Sequence, residues 1–201
     1  MEGTDRSSDR RGDIVAAARD LYEERGLDRT TMKDIAERVG VTRSLIYHYF
    51  SDKDAVTEAV LNDMVEDFLE ALRYWNDQRE RGHVDKALSD CLRLFRNGVF
   101  ESGSFRRSLV HTENSSLYLH FVQTVADRIA RYMVDSTVVD FERYHQVEID
   151  HVYETFYMLI VGMIGLIRAY PSMSDETIKD IVAQTLHIER YVDAEPKGGS
   201  R

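Results

Sequence analysis

The 201-residue chain has few of the residues that cross-link, break or anchor a fold. Its single cysteine, Cys91, excludes an internal disulfide framework and a cysteine-rich zinc site. Two prolines and 11 glycines exclude a collagen-like or low-complexity chain. Residues 1–11 are polar and lack the apolar segment of a signal peptide. The longest apolar run, Phe156–Ile167, is shorter than the roughly 20 residues that cross a bilayer. We therefore expect a cytoplasmic protein with no membrane partner.

The chain also has fewer basic than acidic residues. The chain has 26 Lys and Arg against 36 Asp and Glu, a formal net charge of −10, which excludes a general nucleic-acid coat protein. The deficit is uneven, because residues 1–50 carry 9 basic and 10 acidic residues whereas residues 51–201 carry 17 and 26. Any nucleic-acid-binding face should therefore be local and close to the N-terminus.

Apolar residues recur with the period of an α-helix, and the alternation typical of strands is hard to find. Cap residues and glycines divide this pattern into segments. We predict helices over residues 13–26, 32–39, 42–50, 52–75, 84–95 and 115–133, a long helix after residue 142 that stops before Pro171, and a last helix from Ser174 to residue 192. The sequence thus predicts an all-α fold of about nine helices.

Residues 30–53 have the layout of a helix-turn-helix. Thr31 and Thr42 are candidate N-caps of two short helices, and Gly40 permits the positive φ that a tight turn needs. Packing of Val41, Ile46 and Phe50 inward leaves a donor-rich outer surface suited to base edges and phosphates, formed by Arg43, Ser44, Tyr47 and His48. An ordinary helical hairpin with a solvated polar face explains the layout equally well.

The string TTMKDIAERVGVTRSLIYHYFSDKDAV resembles the DNA-binding region of the TetR/AcrR family of bacterial transcriptional regulators. The likeness rests on the Thr before the first helix, its Ile-Ala pair, Gly-Val-Thr-Arg at the turn, the aromatic residues and the final Lys. It covers residues 13–60, and the rest of the chain matches the family only in length and helical character. The resemblance implies DNA contacts by Thr31, Lys33, Thr42, Arg43, Ser44, Leu45, Tyr47, His48, Tyr49 and Lys53.

The resemblance also implies separate roles within this set. The helix that begins at Thr42 enters the major groove, where Arg43 is placed to bind a guanine bidentately. Lys53 corresponds to a lysine that meets a phosphate at the N-terminus of the next helix. Leu45 and His48 depart from the residues that are usual in the family.

By resemblance, residues 1–55 form a DNA-binding domain, residues 56–194 a ligand-sensing and dimerisation domain, and residues 195–201 a disordered tail. One helix-turn-helix contacts only a few base pairs, so specific binding needs two of them about one DNA turn apart. The run Phe156–Ile167 is apolar on nearly all sides, as expected of a helix buried in the core or against a partner. The family implies a homodimer in which this helix and the last helix meet their symmetry mates.

Aromatic and methionine side chains on the middle helices form either core or the lining of an effector pocket. The residues that we predict to bind the effector are Phe95, His111, Tyr118, Phe121, Tyr132, Tyr157 and Met158. Such a set suits a largely apolar or aromatic small molecule, which the sequence does not identify.

Metal and catalytic sites are poorly supported. His145, Glu148 and His151 recur every third residue, but on one helix this spacing drifts by about 60° per step and the ligands converge poorly. We predict no metal and no cofactor. Phosphate-binding loops, nucleophile elbows and zinc-protease motifs are missing from the sequence, so we predict no enzyme.

The resulting hypothesis is a ligand-responsive repressor that binds double-stranded DNA at a palindromic operator as a homodimer and is released by a small-molecule effector. One alternative is a small-molecule binding protein with a degenerate DNA-binding head. Another is an all-α enzyme that uses the aromatic cavity.

Overall fold

The computed structural model describes residues 3–98 and 115–192, and within these ranges the chain is helical and contains no strand. The predicted all-α class is confirmed. The helices are α1 (Gly3–Arg25), α2 (Met32–Val39), α3 (Arg43–Tyr49), α4 (Lys53–Gln78), α5 (Val84–Arg96), α6 (Ser115–Tyr132), α7 (Val139–Glu142), α8 (Val152–Ala169), α9 (Asp175–Thr185) and α10 (Glu189–Val192). A π-helical turn, Met133–Val138, joins α6 to α7.

The described chain divides within α4. Residues 3–67 form an N-terminal unit, and residues 68–98 with 115–192 form a C-terminal unit. The boundary at residues 55 and 56 that the sequence suggests lies near the start of the same helix and stays a prediction.

The N-terminal unit packs α1 to α4 around one apolar core. The fully buried side chains include Ile14 and Tyr22 of α1, Ile35 of α2, Ile46 of α3 and Val56 of α4. Burying side chains of this size stabilises a fold by roughly 1.5–3 kcal/mol each. The Tyr22 hydroxyl lies 3.0 Å from the Thr57 hydroxyl, which satisfies its polar end inside the core.

Side-chain caps set the helix starts as the sequence indicated. Thr31 accepts a hydrogen bond from the backbone N–H of Asp34, and Thr42 caps α3 in the same way. Asp52 caps α4, with its carboxylate 2.8 Å from the backbone nitrogen of Ala55. Ser174 caps α9. The predictions of Thr31 and Thr42 as N-caps are confirmed.

In the C-terminal unit, α6 and α8 pack against each other along their length. Ile160, Ile164 and Ile167 form the buried face of α8. The Tyr153 hydroxyl donates to Asp127 at 2.7 Å and joins the same two helices. Helices α5 and α9 are tied together by Lys179, whose ammonium lies 2.7 Å from the Asp85 carboxylate.

Helix α8 is the one described helix long and apolar enough to cross a membrane, with 18 residues and a mean hydropathy of 1.4. The sequence analysis considered only the apolar run Phe156–Ile167, which is too short to cross a bilayer. Helix α8 is longer because it also includes the more polar residues on both sides of that run. The core helix of a water-soluble protein meets the same criterion of length and composition. Its isoleucine face is accounted for by packing inside the C-terminal unit.

Three boundaries differ from the prediction. Helix α1 begins at Gly3, ten residues earlier than expected. The residues before Asp13 are helical as well, but they are polar and show no apolar periodicity. Residues 143–151 form an irregular loop before α8 rather than the start of a long helix. The predicted last helix is interrupted after Thr185, where His187 adopts a φ of 56°, and resumes as α10. The predicted tail, residues 195–201, lies outside the described residues.

The helix boundary corrects one expectation about metal ligands. His145, Glu148 and His151 lie in or beside the loop and not on a shared helix, so helical spacing does not relate them. Across the described ranges, no three His, Cys, Asp or Glu side chains are grouped closely enough to hold a metal ion.

Candidate nucleic-acid interface and ligand cavity

A tight turn between α2 and α3 orients the candidate DNA-reading helix. Gly40 ends α2 with a φ of 75°, a left-handed conformation that costs a side-chain-bearing residue energy. The backbone N–H of Val41 donates to Ala36 at 3.0 Å and closes the turn. At the other end of α2, Thr31 and Asp34 form a reciprocal capping box. Both ends of α2 are therefore fixed by local hydrogen bonds.

The outer face of α3 is the one that the sequence predicted. Arg43, Ser44, Tyr47 and His48 are exposed, whereas Ile46 is fully buried. The Arg43 Nη2 donates to the Tyr47 hydroxyl at 3.0 Å, and the guanidinium lies 5.3 Å from the centre of that ring. This contact between residues one helical turn apart restricts Arg43 before any DNA is bound.

The remaining predicted DNA contacts have more varied surroundings. Thr42 is exposed at the cap, Leu45 and Tyr49 are half-buried, and Lys33 is exposed beside Glu37. Thr31 is exposed, but its hydroxyl is already engaged with Asp34. Two hydrogen bonds from Thr31 hold the pKa of the Asp34 carboxyl below its usual range, with a smaller contribution from Arg25.

Lys53 has a structural contact that the sequence did not indicate. Its ammonium donates to the backbone carbonyl of Leu27 at 2.6 Å, so it ties the start of α4 to the loop after α1. An ammonium has three donors, which leaves capacity for a phosphate. Removing Lys53 would therefore disturb both the fold and any phosphate contact, and this makes it a poor probe of DNA binding alone.

The C-terminal unit contains a cavity of about 180 Å³. Its walls come from the end of α4, from α5, α6 and the π-helical turn, from the loop 143–151, and from α8 and α9. Most of the lining is apolar and includes Leu88, Leu92, Phe95, Met133, Phe156 and Met163. This composition is typical of a small-molecule site.

Polar side chains also line the wall, among them Trp75, Arg79, Asp140 and His145. The Trp75 Nε1 and the His145 Nε2 are buried and have no hydrogen-bond partner among the described residues. Arg79 and Asp140 form an ion pair at 3.4 Å, with exposed fractions of 12% and 16%. Buried polar atoms are almost always hydrogen-bonded, so the two orphaned ring nitrogens need an explanation.

Only part of the predicted ligand set lines this cavity. Phe95 does, whereas Tyr118, Phe121, Tyr132, Tyr157 and Met158 do not. Tyr118 lies under the Arg168 guanidinium at 4.1 Å, Phe121 is buried in helix packing, and Met158 is 73% exposed. His111 lies outside the described residues.

Sequence reasoning missed Trp75 and His145 as lining residues. Trp75 ends the apolar stripe of α4 and is the only tryptophan of the chain, which was the available signal. His145 had no such signal, because its position depends on the irregular loop. That loop brings its ring to 4.7 Å from Phe141 and 4.3 Å from Tyr191, measured between ring centres.

Comparison with known proteins gives one family. Residues 14–60 match the family model described as bacterial regulatory proteins, tetR family. The HTH-type transcriptional repressor KstR2 of Mycobacterium tuberculosis is 30% identical over 121 residues, which are 60% of this chain and 53% of that protein. The chain thus spans about half the length of this curated relative.

Two solved structures share the fold over nearly the whole chain. A tetR-family transcriptional regulator from Streptomyces coelicolor has a TM-score of 0.62 at 18% identity, covering 96% of this chain and 92% of that one. RolR in complex with resorcinol has a TM-score of 0.61 at 17% identity, covering 96% and 98%. Residues 14–60 thus match the tetR family model in sequence, and the whole chain shares its fold with these two solved structures.

Proposed function

We propose that the protein is a ligand-responsive transcriptional repressor and not an enzyme. It binds a palindromic operator as a homodimer and leaves the operator when a small molecule occupies the C-terminal cavity. A cytoplasmic location, with access to DNA and without a membrane partner, is part of this proposal.

The outer face of α3 carries the DNA-binding part of the proposal. It presents a guanidinium, a hydroxyl, a phenol and an imidazole on one short, capped helix whose opposite face is buried. A helix of this kind fits the major groove, and its N-terminal residues then reach base edges. The Tyr47 contact holds Arg43 in a restricted geometry, which lowers the entropy lost when it binds a base.

The outer face of α8 supports the homodimer. Met158, Gly162, Gly165 and Ala169 are exposed and recur at helical spacing, opposite the buried isoleucines. A Cβ added at Gly162 or Gly165 would meet no atom of the described residues within 4 Å, so packing among those residues does not require these glycines. An exposed apolar stripe with small residues at its centre suits close contact with the same helix of a second copy.

The cavity supports the sensor part. It lies in the unit that does not contain the helix-turn-helix, and it has the apolar lining of a small-molecule site. RolR, which shares the fold, has been solved with resorcinol bound. A ligand in such a cavity changes DNA binding only if it binds the DNA-competent and DNA-free conformations with different affinity.

The test is selection of binding sites from a random duplex library with the purified protein at about 150 mM salt, a concentration at which non-specific contacts are weak. We expect enrichment of an inverted repeat with half-sites about one DNA turn apart. Arg43→Ala should then lose roughly 10-fold or more of its preference for the selected sequence while keeping its affinity for random DNA.

The matched control is Arg93→Ala. This variant removes the same charge from an exposed residue of the C-terminal unit, where Arg93 pairs at the surface with Asp90. It should bind the selected sequence like the unmodified protein. If no sequence is enriched from protein shown by mass spectrometry to carry no ligand, the DNA-binding proposal is wrong.

A further inference from the structure

Two residues of the cavity wall, Trp75 and His145, each have a buried ring nitrogen without a hydrogen-bond partner among the described residues. The indole N–H of Trp75 can only donate, so it needs an acceptor. The Nε2 of His145 either donates or accepts, depending on which ring nitrogen carries the proton. A hydroxyl group is a suitable partner for either atom in every case, because its oxygen accepts and its hydrogen donates.

The size of the cavity limits the ligand to about one ring. Its volume is about 180 Å³. An engineered cavity of about 150 Å³ in another protein binds benzene. A six-membered ring with one or two further heavy atoms therefore fills this cavity.

The lining favours an aromatic ring. The wall includes three phenylalanines, Phe95, Phe141 and Phe156, and three sulfur atoms, from Cys91, Met133 and Met163. Thioether and thiol sulfur contact aromatic rings favourably, and aromatic rings prefer one another in edge-to-face or offset arrangements.

The pairing of the charged residues beside the cavity favours a neutral ligand. The Arg79 guanidinium is already engaged by the Asp140 carboxylate and by the Asn76 side chain at 2.9 Å. Two further arginines, Arg81 and Arg143, are within 4.0 Å and 3.2 Å of the same carboxylate, but both are more than half exposed to solvent. A buried ligand carboxylate would lose its hydration without gaining a free, enclosed cation.

We infer that this cavity binds an uncharged single-ring aromatic compound with one or two hydroxyl groups, held by the Trp75 Nε1–H and the His145 Nε2. The ring lies among the phenylalanine and methionine side chains. The inference rests on the proposed sensor function and names the chemical class of its effector.

The single tryptophan makes the test direct, because all indole emission comes from a residue of the cavity wall. Phenol is titrated into the full-length protein, and binding is followed by Trp75 emission excited at a wavelength that phenol does not absorb, and by calorimetry. Toluene has nearly the same shape without the hydroxyl, benzoate adds a charge, and octanoate replaces the ring by a chain. We expect phenol to bind roughly three- to tenfold more tightly than toluene, as for one net hydrogen bond.

Variants assign the hydrogen bonds. Trp75→Phe keeps an aromatic wall but removes the N–H, and His145→Phe removes the ring nitrogens. In each variant, measured by calorimetry, the preference for phenol over toluene should fall towards one while toluene still binds. Tyr74→Phe is the matched control, because it removes the hydroxyl of an exposed aromatic residue on the same helix. Its preference should not change.

The inference is overturned if toluene binds as well as phenol, if benzoate or octanoate binds more tightly, or if none of the four compounds binds to protein free of ligand. DNA binding measured in the same samples separates it from the proposed function. Binding of phenol without release of operator DNA supports the ligand class and contradicts the sensor role. Release by a different class of compound, with no phenol binding, contradicts the ligand class alone.

Discussion

At the scale of one residue, burial in an apolar wall changes the reactivity of the Cys91 thiol. Its side chain lines the cavity, and burial raises the pKa of the thiol to about 12, an effect that the charge of Arg79 only partly offsets. Near neutral pH the group is therefore a thiol and not a thiolate. Since the thiolate is the nucleophile, Cys91 should be chemically inert although it borders a space that admits a small molecule.

We expect iodoacetamide at pH 8 to alkylate Cys91 in the folded protein roughly a thousandfold more slowly than in guanidinium, in line with the change in thiolate fraction. Intact mass spectrometry follows the reaction, and no second cysteine complicates the result. The denatured chain is its own control. Rapid alkylation of the folded protein at a rate close to that of the denatured chain would contradict the assignment.

Two basic residues of the candidate DNA interface differ in how their neighbours hold them. Arg43 is oriented by Tyr47, while Lys53 is occupied by the carbonyl of Leu27. The sequence assigned both to DNA on equal terms. Their surroundings make Arg43 the better probe of sequence preference, because its loss removes no contact that holds two helices together.

At the scale of elements, the helix starts marked by a capping threonine were predictable. Thr31 and Thr42 cap as expected because a hydroxyl that accepts from an N–H two or three residues later is a local interaction. The loop at residues 143–151 and the break after residue 185 were missed. The chain leaves the helix there without a glycine or proline, and after residue 185 His187 takes the positive φ of a Schellman cap, in which the Ile188 N–H donates to the carbonyl of Ala183 at 2.9 Å.

The outward face of α3 was predictable for the same local reason, since its orientation follows from the period of one helix. The cavity was not. Its wall draws on residues from Trp75 to Ile188 and includes the irregular loop with His145. Of the predicted ligand residues, Phe95 lies on this wall and Met158 points away from it, because helical spacing alone does not distinguish the two sides of an apolar helix.

The turn before α3 gives a prediction for an element. Gly40→Ala should lower the free energy of unfolding by roughly 1–2 kcal/mol, because alanine is strained at a φ of 75°. Gly12→Ala is the control. Both glycines have open space around the added methyl, but Gly12 lies inside α1, where alanine should stabilise by about 0.5–1 kcal/mol.

Urea unfolding measured by circular dichroism checks both variants. The two midpoints should move in opposite directions, and since the added atom is the same, the difference reports the backbone conformation. Equal midpoints would mean that the turn relaxes to a negative φ at little cost, and that Gly40 does not fix the orientation of α3.

At the scale of the whole molecule, the outer face of α8 is the feature that one chain leaves unexplained. An isolated chain would keep Met158 and the two open glycines in water on a helix that is apolar on nearly all sides. A second copy related by a two-fold axis buries the same stripe on both helices at once, as closed dimers do. Two helix-turn-helix heads in one particle are also what an inverted repeat in DNA requires.

Met158→Glu should convert the proposed homodimer to a monomer, because it places a charge, and its symmetry-related copy, in an apolar contact. We expect the dissociation constant to rise about a hundredfold or more, measured by sedimentation equilibrium at micromolar concentration. Operator affinity should fall with it, while circular dichroism stays unchanged because Met158 is 73% exposed in the single chain. Leu119→Glu is the matched control, since Leu119 is an exposed apolar residue of α6, 54% accessible. It should remain dimeric, and loss of the dimer in Leu119→Glu but not in Met158→Glu would move the interface from α8 to α6.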